Sequence, residues 1–114
     1  MTSKELNLKL VELLPEIKER YEDEISWQEQ EDTGSHIVFG DVFFPYIIEN
    51  LSDKKITKKN FDVVEKILEL HDDYANEVIS LSVLENLFYE QSAVDSFNQF
   101  LGDLSKNIFM QFKM

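Results

Sequence analysis

The chain has 114 residues, 43% hydrophobic, 30% charged and 12% aromatic, with 11 basic against 23 acidic side chains and a formal net charge of -12. That is material for one core and a single helical domain over residues 1–114, and a chain this anionic repels nucleic-acid phosphates and anionic lipid. With 3 Gly and 2 Pro it lacks the turns a β-sandwich or barrel needs, and with no Cys it has no disulfide, thiolate metal site or thiol nucleophile.

The N-terminal residues interleave charges with leucines, so the sequence predicts neither a signal peptide nor a membrane span and points to a cytoplasmic setting. Thr2 or Ser3 can cap a first helix carrying Leu6, Leu10, Leu13 and Leu14. Pro15 suits the first turn of a second segment, with Ile17, Tyr21 and Ile25 four apart. Residues 26–35 read as a polar loop holding Trp27 and Gly34. The most apolar stretch, residues 36–51, leaves no polar face and should lie centrally, with a helix over residues 41–50 capped by Asp41 and Pro45 near its first turn. His36 to Phe39 fits a helical turn or a short strand equally.

The lysine-rich residues 52–60 read as a connection, and Thr57 or Asn60 can cap a helix carrying Phe61, Val64, Ile67, Leu68 and His71. A further helix runs over residues 75–90. The last spans residues 93–112, its seam formed by Val94, Phe97, Leu101, Leu104 and Ile108, with Gly102 weakening the middle by about 1 kcal/mol. The expected fold class is all-α: a compact bundle or short stack of antiparallel helical hairpins, about five to six helices.

No constellation of an enzyme stands out. Neither His36 nor His71 has a Glu three residues before it, and beside His71 only Glu69–Asp72 and Glu69–Asp73 share a helix face. No nucleophile elbow or Gly-rich phosphate loop occurs. The chain is therefore read as a non-enzyme with no catalytic, cofactor-binding or metal-ligating residues. Phe39, Phe43, Phe44, Phe61, Phe88, Phe97 and Phe100 are assigned to the core. Trp27 is either an exposed binding anchor or a plug for the bundle end.

The segment from His36 to Leu51, with Gly40, Asp41 and Pro45, resembles small acidic all-helical bacterial proteins of unknown function, as does Val83 to Leu87. Some of these look like immunity proteins of polymorphic toxin systems. The resemblance implies a bacterial cytosolic protein that neutralises a toxin domain, and it carries over no catalytic or binding residue.

The charge pattern adds its own expectation. Residues 21–50 hold eight acids and no Lys or Arg. Such a stretch either serves solubility or attracts a cationic protein partner, such as a basic toxin domain. The expected contacts are Glu22, Asp23, Glu24, Trp27, Glu29, Glu31 and Asp32. The alternative is a helical adaptor or a homodimer, using the C-terminal seam and a tail in which Phe109, Met110, Phe112 and Met114 need cover.

Overall fold

Thr2 opens the first helix, α1 (Ser3–Leu13), in a reciprocal capping box. Its Oγ1 accepts the Glu5 N–H at 3.1 Å, while its own N–H donates to Glu5 Oε1 at 2.9 Å. This computed structural model describes residues 1–28, 33–90 and 94–112, with backbone alone at 27, 28, 94 and 95. Every element among the described residues is helical, and none is long and apolar enough to cross a membrane.

Pro15 ends α1 because it has no N–H to continue the ladder and disfavours helical backbone in the residue before it; Leu14 lies at φ -135° and ψ 73°, outside the helical region. A 3-10 turn, Pro15–Ile17, then leads into α2 (Lys18–Gln28). The loop expected over residues 26–35 does not start at residue 26: Ser26, Trp27 and Gln28 continue α2, and residues 29–32 lie outside the described residues. Nothing in those three residues breaks a helix.

The apolar stretch forms one continuous helix, α3, from Ser35–Val38 through a π-helical turn, Phe39–Phe43, to Phe44–Glu49. This settles His36–Phe39 as helical and moves the start from Asp41 to Ser35, after Gly34. Asp41 sits inside the wide turn and caps nothing. Pro45 gives the physical reason for that turn. A proline inside an α-helix clashes with the carbonyl four residues back and leaves it without a donor. Widening the preceding turn, with the Phe44 N–H bonded to the Phe39 carbonyl, lets the ring pass without ending the helix.

Asp53, and neither Thr57 nor Asn60, caps α4 (Lys54–Leu68), accepting the N–H groups of Lys55 at 3.0 Å and Ile56 at 3.1 Å. Thr57 is buried and donates its hydroxyl to the Asn50 carbonyl at 2.9 Å. Asn60 is also buried, and its amide nitrogen and oxygen have no hydrogen-bond partner, a cost of about 1–3 kcal/mol. The helix ends earlier than its apolar spacing suggests. His71 adopts φ 53° and donates its N–H to the Leu68 carbonyl, so it closes a turn and does not sit on a helix face. Asp72 then caps α5, which runs from Asp73–Val78 through a second wide turn, Ile79–Leu84, to Glu85–Tyr89.

The expected long C-terminal helix is broken in two. Val94–Phe97 and a 3-10 turn, Asn98–Phe100, precede a break at Leu101 and Gly102, after which α6 spans Asp103–Gln111. The cause lies on α4. Glu65 reaches into the N-terminus of α6, where its carboxylate accepts the Leu104 N–H at 2.6 Å, the Ser105 N–H at 3.2 Å and the Ser105 hydroxyl at 2.9 Å. A side chain at Gly102 would overlap that carboxylate. Gly102 is thus the gap through which one helix caps another.

The core is one cluster drawn from every helix but α2, which joins through Tyr21. Phe61 stacks on Phe97 at 5.6 Å, and Phe97 and Phe88 each meet the Phe109 ring at 5.7 Å. Of the phenylalanines assigned to the core, Phe39, Phe43, Phe61 and Phe97 are buried and Phe44, Phe88 and Phe100 half-buried. Phe109 from the tail is buried as well. The wide turns of α3 and α5 pack against each other, with Gly40 beside Ser82. Nearby, buried Ser35 donates to Asn7 Oδ1 at 2.8 Å and Asn7 donates to the Thr33 carbonyl at 2.9 Å, pinning α1 to the start of α3.

Two predictions follow from these contacts. Gly102→Ala and Glu65→Ala should each lower stability by about 1–3 kcal/mol in urea titrations. Gly102→Ala should cost much less once Glu65 is already alanine, because nothing is left to overlap. Separately, Glu16, hydrogen-bonded to Lys59 at 2.7 Å, holds its carboxyl below the ordinary value of 4.5. Hydrogen bonds from Thr2 lower Glu5, and bonds from the Ala75 N–H and the Met1 amine lower Asp72. The native state therefore binds these protons less readily than the unfolded chain. Its stability should hold above the carboxylate range and fall as pH drops through it, which unfolding titrations at stepped pH would read.

Candidate functional site

The anionic flank is built where α2 crosses α3. Arg20 fastens the two: it pairs with Glu49 at 2.6 Å and lies over the Tyr46 ring at 5.3 Å. Beyond that clasp opens a cleft of about 280 Å³ lined by Arg20, Asp23, Glu24, Asp41 and Val42. Val42 is buried and forms an apolar floor, while Asp23 and Asp41 are exposed and Glu24 is half-buried.

Among the described residues, Asp23, Glu24 and Asp41 form no ion pair. The one cation in the lining, Arg20, is already matched by Glu49. Three carboxylates without counter-ions thus surround a recess with an apolar base. Its volume falls just below the roughly 300–1,000 Å³ usual for small-molecule pockets. It suits an inserted Lys or Arg side chain better than a cofactor. No group of three or more His, Cys, Asp or Glu side chains arranged for a metal ion occurs among the described residues.

Of the seven expected contacts, Asp23 and Glu24 come together here. Glu22 is one position off the cleft and pairs instead with Lys18 at 3.9 Å along the same helix. The Trp27 side chain and Glu29, Glu31 and Asp32 lie outside the described residues. Three lining residues fall outside the expected contacts: Asp41 lies in the anionic stretch but reads as a helix cap, Val42 reads as part of the apolar stretch, and Arg20 falls just before the anionic stretch. The sequence carries no local signal for Asp41, because Pro45 also fits the first turn of a helix.

A family model described as Domain of unknown function (DUF7674) matches residues 7–114. The chain belongs to this family. No curated protein and no solved structure matches it. All five residues of the cleft fall inside the DUF7674 match, as do Glu65, Gly102 and both wide turns, while the capping box at Thr2 and Glu5 lies before it. The family's description assigns no activity, so the chemistry of the DUF7674 domain is argued from its own surface.

Proposed function

We propose that this chain is a protein-binding module that receives a cationic partner on the α2–α3 flank, in the manner of an immunity or antitoxin protein docking on a basic toxin domain. The setting read for it is the cytoplasm of a bacterium. The observation that supports this is the convergence of Asp23, Glu24 and Asp41 around a recess whose lining base among the described residues, Arg20, is already paired with Glu49. A guanidinium or ammonium entering there gains three carboxylates, and its stem covers Val42. Such complementarity raises encounter rates and selects partners more than it supplies raw affinity. The role is binding, with no chemistry performed on the partner.

A second reading, self-association as a helical adaptor, is favoured by a different region. Tyr89 is 69% exposed and Met110 50% exposed, beside the half-buried Phe88 and Phe112. Light scattering across a concentration series separates the two, since a stable homodimer that Met110→Glu dissolves supports the adaptor.

The test of the first reading is kinetic. Asp23→Lys, Glu24→Lys and Asp41→Lys together should slow association with the toxin-like product of a neighbouring gene by about 10- to 1,000-fold at low salt. The difference should shrink as salt is added. An on-rate unchanged by the triple reversal sinks the proposal. Rescue of cells expressing that gene product, lost in the triple variant, is the matching result in vivo.

A further inference from the structure

The two histidines differ in their surroundings, and the difference is specific. His36 lies in the first turn of α3 and faces α5. Its Nδ1 is 2.8 Å from the Ser82 hydroxyl, and its Nε2 is 3.8 Å from Glu77 Oε2. The Tyr74 ring meets the imidazole edge-on at 6.1 Å, and Tyr74 is itself tied through its hydroxyl to Ser3 at 2.6 Å. The imidazole is therefore held at Nδ1 and by the Tyr74 ring, while the His36 and Glu77 side chains are 43% and 57% exposed.

We propose that His36 and Glu77 form an open, two-ligand site for a divalent transition-metal ion of the zinc class, with Ser82 as the positioning residue. Three observations carry it. The first is distance. At 3.8 Å the Nε2–Oε2 pair is too long for a hydrogen bond. With metal–N and metal–O bonds of about 2.0–2.2 Å, a shared tetrahedral ion wants its ligands about 3.4 Å apart. A small rotation of the exposed Glu77 side chain closes that gap. The second is the contact at Nδ1. A metal-binding histidine donates its other ring N–H to a second group, which fixes the ring and leaves the ligating nitrogen free. The Ser82 hydroxyl, 2.8 Å from Nδ1, 8% exposed and set in the wide turn of α5, is placed to accept such a bond. Asn86 Nδ2 donates to the Ser82 carbonyl at 2.8 Å and steadies the turn. The third is the location, because π-helical turns concentrate at functional sites, and here two of them pack together.

Two protein ligands leave the remaining positions on the ion to water, so the site is exchangeable and open to a further ligand. It is not a structural metal centre, and it stands apart from the α2–α3 cleft.

His71 is a built-in reference, because it is exposed in the turn after α4 and the chain has no third histidine. Imidazole ring 15N–1H spectra of the full chain, titrated with Zn²⁺ and then with Mg²⁺, test the proposal. Before metal, His36 should carry its neutral proton on Nδ1. Zn²⁺ should perturb His36 at a concentration at least tenfold below that needed for His71, and Mg²⁺ should perturb neither. Glu77→Gln, on an exposed position, should abolish the preference for His36 without changing the thermal midpoint. Ser82→Ala should shift the tautomer balance toward Nε2–H and weaken Zn²⁺ binding about 10- to 100-fold. Parallel responses from the two histidines, an Nε2–H tautomer in the unmodified chain, or unchanged affinity in Glu77→Gln would overturn it.

Discussion

The crossing of α3 and α5 through their wide turns organises the molecule. Pro45 makes an uninterrupted α-helix impossible in α3, and the chain answers by loosening the turn before it. The loosened turn carries Gly40, which packs beside Ser82 on α5. From that crossing the two flanks of α3 diverge. His36 is directed at α5, and Asp41, five residues later, is directed at α2. One proline thus bears on both places where chemistry can happen.

The electrostatic character follows from how the few cations are used. Lys9 pairs with Glu12, Lys18 with Glu22, Arg20 with Glu49, Lys58 with Asp62 and Lys59 with Glu16. Each such surface pair contributes little to stability, about 0–1 kcal/mol. Their larger effect is to consume positive charge. These pairs take up five of the 11 bases against 23 acids, so an excess of carboxylates remains, and the recess on α2 and α3 shares that field. Arg20 lines the same recess but is held by Glu49, so among the described residues Asp23, Glu24 and Asp41 form no ion pair.

Much of the helical framework is legible in the residues. Thr2, Pro15 and the apolar stripes of α1 and α5 follow local rules, and the helix expected over residues 75–90 is Asp73–Tyr89 within a residue or two. The features that were not legible depend on partners distant in sequence. The break before α6 comes from Glu65, 39 residues upstream of Leu104. Asp53 caps α4 in a segment that reads as a lysine-rich connection, with Lys54 and Lys55 in the first turn, where acids are usually preferred. The site residues divide in the same way. Asp23 and Glu24 came from a run of like charge, whereas the link from His36 to Ser82 spans 46 residues and has no signature in the local pattern.

The wide turn of α3 also makes residue count matter more than residue identity along Phe39–Phe43. Losing a single residue there would tighten the π turn to α, and everything upstream would swing by about 100° about the helix axis. His36 would be carried off Ser82, Ser35 would leave Asn7, and Pro45 would again oppose a carbonyl in its path. Substitutions that preserve the apolar faces at Phe39 and Phe43 would be absorbed far more readily than a shortening by one. The segment behaves as a gear tooth whose number, more than its material, keeps three helices in phase.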